Sequence, residues 1–229
     1  MSYSHQKGFS WVQLIVCIFV IFIVAGILAP PRIKKARAGD RTKALSNAKT
    51  LAAGLMAFKA EYGAYPFDGT RKQLEKEGVN HLPQGDSANA YFAQLLASGI
   101  LESEKLFFGF GMTNFREGDD VMDSTVKILD TGENGFAYIM APDGKPLTDT
   151  RSFTPLLLAP IKTSGPEPIF DPGPYGGKFV MGLADGSSSA RDIDENGHAV
   201  TEGRDNFFQA GRDSLFGSDI PVVKYPLGL

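Results

Sequence analysis

The sequence predicts an α+β protein: a long N-terminal α-helix, transmembrane in its first half and amphipathic in its second, packed on a small antiparallel β-sheet head. Three observations predict it. Residues 9–29 carry no formal charge, residues 45–62 repeat apolar side chains at helical spacing, and the remainder holds short apolar runs bounded by Gly, Pro and Asp. The chain has 229 residues, 43% hydrophobic and 21% charged, which are globular values that exclude a fully disordered chain or a polytopic membrane protein.

The first element is the run FSWVQLIVCIFVIFIVAGILA, residues 9–29, in which Ser10 and Gln13 are the only clearly polar members. At about 1.5 Å per residue it spans about 30 Å, the thickness of a bilayer core. Two other readings of the run are a buried helix of a soluble protein and a secretory signal peptide. The length argues against the first. The second needs small residues before a cut, and the run ends instead in Ile27 and Ala29 followed by Pro30-Pro31. Residues 30–63 continue with Leu45, Ala48, Leu51, Leu55, Phe58 and Tyr62 on one helical stripe. Pro30 and Pro31 bend or locally open the helix without necessarily ending it, and Gly63 and Pro66 stop it.

Residues 64–229 form the head. Ala90–Ser98 has helical spacing and is followed by Gly99, a helix-ending residue. Residues 136–141, 154–161 and 178–184 read as strands, and Asp143-Gly144 and Asp185-Gly186 as turns. The Pro- and Gly-rich stretch 163–178 reads as a surface loop, either a binding surface or a plain connection.

Charge is divided along the chain. Residues 1–63 carry nine Lys/Arg against Asp40 and Glu61, whereas the rest carries fourteen against twenty-four. Nucleic-acid binding needs clustered cations, so an acidic head argues against it; the basic stretch suits anionic lipid headgroups. A single cysteine, Cys17, excludes an intramolecular disulfide, and three scattered histidines exclude a clustered Cys/His zinc site. Gly109-Phe110-Gly111 lacks the third glycine of a dinucleotide fingerprint, and there is no Gly-Lys-Ser/Thr phosphate loop or G-x-S-x-G elbow. Adjacent Asp119 and Asp120 read as a solvated loop, so no catalytic residue is assigned.

Asp192-x-Asp194-x-Asn196-Gly197 matches the first half of a calcium loop, in which alternate oxygens converge on a hard cation and Gly permits the sharp turn. The twelfth position is Gly203 rather than Glu, with Glu202 one residue short. Calcium held by Asp192, Asp194 and Asn196 and a plain hairpin turn are both open readings.

Lys7-Gly8, then Phe9, an uncharged run, Pro30 near its end, an amphipathic continuation and a closing Tyr62-Gly-Ala-Tyr-Pro66 occur together in order. In these first 66 residues the chain resembles the type IV pilin family, in style closest to the pseudopilins of type II secretion-like systems. The resemblance implies a leader of residues 1–8, cleavage between Gly8 and Phe9 by a prepilin peptidase, and methylation of the new amino group on Phe9. It implies no enzymatic activity. The partners implied are lipid before assembly, inner-membrane assembly machinery, and copies of the chain or other pilin-like subunits in a filament outside the cytoplasm. Gln13 and Pro30 fall at positions concerned with assembly. The family usually has Glu where this chain has Gln13, so a charge-assisted bond to a neighbour's amino terminus becomes a neutral one. Arg32, Lys34, Lys35 and Arg37 after the run would by charge alone place the head in the cytoplasm, whereas the leader motif requires it outside. Pseudopilin heads can carry a calcium-bound loop, for which Asp192, Asp194 and Asn196 are the best candidates. The alternative of another class is a permanently membrane-anchored extracytoplasmic binding module.

Overall fold

The computed structural model describes residues 11–80, 82–125, 127–148, 150–165, 167–200, 207–208, 214–216 and 221–229; the side chains of residues 12–13 and 22–35 are not described. Gly8 and Phe9 therefore lie outside the described residues, as do the side chains of Gln13 and Pro30. The chain divides into one unit up to Ala36 and a second from Arg37 to Leu229. Helix α1, Trp11–Tyr62, contributes to both. Among the described residues no helix is long and apolar enough to cross a membrane. The uncharged run starts before those residues, and its side chains from position 22 onward lie outside them.

The second unit is α+β, with a five-stranded antiparallel sheet. Its helices are the last part of α1, α2 (Asp68–Lys76) and α3 (Ala88–Ala97). The strands are β1 (Ala137–Met140), β2 (Pro155–Ala159), β3 (Ile161–Thr163), β4 (Ile169–Phe170), β5 (Lys178–Leu183), β6 (Ser188–Asp192) and β7 (Val222–Lys224). The large sheet runs β6-β5-β2-β1-β7, while β3 and β4 pair separately. Every residue of β1 and β2 is buried, so both faces of the sheet centre are covered, as their unbroken apolar sequences require. The edge strand β6, SSARD, is polar and partly exposed, a composition that discourages further strand addition.

The helical stripe follows from spacing. Ala44, Ala48, Leu51, Ala52, Leu55 and Phe58 are fully buried on α1, and each large member contributes about 1.5–3 kcal/mol by leaving water. Gly63, at φ +77°, ends the helix and donates its N–H to the Lys59 carbonyl at 2.9 Å. Helix α3 starts on Ser87, whose hydroxyl oxygen accepts from the Ala90 N–H, and Gly99 follows its end at φ +74°. Between α3 and the sheet, Phe92 packs on Tyr138 with ring centroids 5.2 Å apart, and the Tyr138 hydroxyl donates to the Pro66 carbonyl at 3.1 Å.

Helix α1 meets the sheet at Gly182 in β5. A Cβ there would stand 2.7 Å from the Ala48 carbonyl oxygen and 3.1 Å from the Ala52 Cβ. Small residues on both sides thus set the separation of helix and strand. Buried Asn89 ties α3 to the loops: it donates to the Leu129 carbonyl at 2.7 Å and accepts from the Leu227 N–H at 2.9 Å.

The structure corrects the surface-loop reading of residues 163–178. Ile169–Phe170 forms β4, Phe170 stacks on Phe179 at 4.3 Å, and both Phe170 and Tyr175 are fully buried. The Pro and Gly residues mark tight local turns there, and the aromatic residues between them supply core.

Gly182→Ala should lower stability by about 1–3 kcal/mol, because the added methyl forces α1 from the sheet. Chemical denaturation of the full chain in detergent micelles would show the lower midpoint.

Candidate functional site

Helix α1 presents exposed apolar side chains near its start. Leu14, Ile15, Val16, Ile18, Val20 and Ile21 are all exposed, with Trp11 at 78% and Phe19 at 68%. Successive positions 14, 15 and 16, and again 18 to 21, lie about 100° apart around the axis, so apolar side chains face every direction. A helix that is hydrophobic all round finds a stable setting only in lipid or among other apolar helices. Cys17 is also exposed in this stretch.

The head holds the second predicted site, the turn that carries Asp192, Asp194 and Asn196. Asp192 closes β6 and pairs with the Lys178 ammonium on β5. The Asp194 carboxylate accepts from the backbone N–H groups of Asn196 at 2.9 Å and His198 at 2.8 Å, while the Asp194 N–H donates to the His198 carbonyl. These bonds make a side-chain-capped hairpin turn bounded by an Ile193–Ala199 bridge. Gly197 is buried at φ +88°, its carbonyl accepts from the Phe170 N–H at 2.8 Å, and a Cβ on it would stand 2.6 Å from Ile169 Cγ2. The glycine therefore docks the turn on β4.

The structure also gathers acidic residues that sequence spacing did not connect. Among the described residues, Glu104, Asp119 and Glu133 bring carboxylate oxygens within 4.8 Å of one another. Burial pushes the Glu104 carboxyl above the usual range, opposed by the Leu129 N–H and reinforced by Glu133. Burial raises Glu133 too, against the Asp130 N–H and the Arg116 guanidinium. The only sequence hint was the pair Asp119-Asp120, read as a solvated loop. Asp120 instead has φ +60°, accepts from the Ser103 hydroxyl and the Glu104 N–H, and pairs with Lys105 at 2.7 Å.

No family model and no solved structure matches the chain. A curated protein does: type II secretion system core protein G of Pectobacterium carotovorum subsp. carotovorum is 23% identical over 149 residues, 63% of this chain and 81% of that protein. This alignment is longer than the 66-residue motif, so the similarity reaches into the head.

Gly197→Ala should destabilise the protein by about 1–3 kcal/mol through strain and a clash with β4. Asp194→Asn, which keeps an acceptor for the turn, should cost about 1 kcal/mol or less. Thermal melts of the two variants would rank them, and equal effects would contradict the docking role of Gly197. The chain is related to a type II secretion core protein, and that relationship supports its resemblance to the pseudopilin family.

Proposed function

We propose that this protein is a structural subunit of a type II secretion pseudopilus or a type IV pilus-like filament. It is cut between Gly8 and Phe9 by a prepilin peptidase, methylated on Phe9 and assembled through its N-terminal helix. The observation that carries this reading is the exposure, among the described residues, of Trp11 and of the apolar side chains from Leu14 to Ile21 on α1. Before assembly that surface sits in the inner membrane, with the head outside the cytoplasm. After assembly the same side chains contact the helices of other subunits, which are as apolar as lipid tails, so one sequence suits both surroundings. Repetition of one head-to-tail contact whose rotation does not close produces an open fibre. The related secretion protein supports the subunit reading, and the acidic head is consistent with a role that uses no nucleic acid.

Two residues shape the assembly step. Gln13 offers a neutral acceptor to the amino terminus of a neighbouring subunit, a weaker partner than a carboxylate. Pro30 removes one backbone donor from the helix, which makes this the place where α1 yields most easily during extraction.

Mass spectrometry of the protein from native cells should find a chain that begins with N-methylated Phe9. Gly8→Val should leave the leader attached and remove the protein from sheared filament fractions. An intact Met1 terminus in the mature, functional protein would favour the permanently anchored binding module.

A further inference from the structure

We propose that Trp11 seats in the headgroup interface of the membrane on the cytoplasmic side, its indole N–H donating to the ester carbonyl or phosphate oxygens of lipid. The inference rests on the reading of residues 9–29 as membrane-seated before assembly, and it names one lipid contact of that seat. Trp11 is the chain's only tryptophan. Among the described residues it is also the most exposed large hydrophobic side chain. It stands at the start of α1, and the side chains of a helix lean toward its N-terminus. The indole is therefore directed away from the middle of the apolar run and toward its leader end.

The polar groups of the run are gathered at that same end. Ser10 and Gln13 flank Trp11, whereas residues 14–29 contain no side chain that makes a strong hydrogen bond. The indole offers one donor and no acceptor, and burying that donor unpaired in hydrocarbon costs free energy. An amphipathic ring of this kind settles where lipid tails meet headgroups. Copies of the same helix offer the N–H only the side chains of Ser10 and Gln13, while every lipid at the interface supplies acceptors. The lengths agree with this seat. From Val12 to Ala29 the chain has eighteen residues, about 27 Å of helix against a hydrocarbon core of about 30 Å. Trp11 then lies at one edge of the core, and the cations Arg32, Lys34 and Lys35 lie just past the other. Their long stems carry the charges to the headgroups there, as Lys7 does on the leader side.

The test is depth-dependent quenching of tryptophan fluorescence in the full chain, reconstituted into vesicles of phosphatidylethanolamine and phosphatidylglycerol. The lipids carry bromine either near the headgroup end of their acyl chains or near the terminal methyls. Trp11 emission should be lost more to the shallow bromines than to the deep ones. In the double variant Trp11→Phe, Phe19→Trp, which exchanges aromatic rings at two exposed positions, the reporter moves about 12 Å along the helix to the middle of the core. There the order of quenching should reverse, and the emission should shift to shorter wavelength. Stronger loss of Trp11 emission to the deep bromines, or no loss to either while position 19 is quenched, would overturn the proposal and leave the membrane seat of α1 standing. Absence of quenching at both positions would remove the membrane seat itself, and the proposal with it.

Discussion

The head depends on the close seating of one helical stripe against one sheet. Ala48 and Ala52 face Gly182 at a separation that leaves no room for a single methyl group. That proximity brings Leu51, Leu55 and Phe58 into the core shared with β1, β2 and β5. Close-packed interiors transmit small volume changes, so this contact governs where the strands sit and where their connecting loops begin. The loops then add their own restraints: Asn89 to Leu129 and Leu227, and Gly197 to Phe170.

Helix α1 carries two different solutions to the same physical problem. From Ala44 to Phe58 its apolar side chains are paired with the sheet of the same chain. Among the described residues, Trp11 and the apolar side chains from Leu14 to Ile21 are exposed, although their composition is at least as apolar. A folded chain seldom leaves so much contiguous apolar surface unless another molecule covers it. Lipid and neighbouring helices both qualify, and the proposed filament subunit needs each in turn. The polar edge at β6 fits this division of labour, since such an edge discourages association through the sheet.

Helical spacing made the buried stripe and α3 readable, because a three-and-four repeat has few other meanings. Alternating turn and apolar segments located β1, β2 and β5 in the same way. Strands β6 and β7 were harder: SSARD is polar because it is an edge, and Val222–Lys224 is too short to show a pattern. Helix α2 is a polar helix whose buried members are Thr70 and Leu74, so its apolar face is too narrow to announce it. The loop at 163–178 misled because Pro and Gly density hides Phe170 and Tyr175, whose burial depends on partners elsewhere in the chain. Of the candidate sites, the apolar run stands out in the sequence by its length. The acidic cluster was not, because 29 positions separate Glu104 from Glu133 and only the fold brings them together.

In the proposed assembly, the N-terminal apolar helix exchanges lipid for pilin-like helices. A photo-reactive benzoylphenylalanine in place of Phe19, an exposed position on that helix, tests this directly in living cells. Light-induced adducts to a second copy or to another pilin-like subunit, concentrated in sheared filament material, are the expected result. Adducts to lipid alone, in every fraction and at every stage of growth, would contradict it.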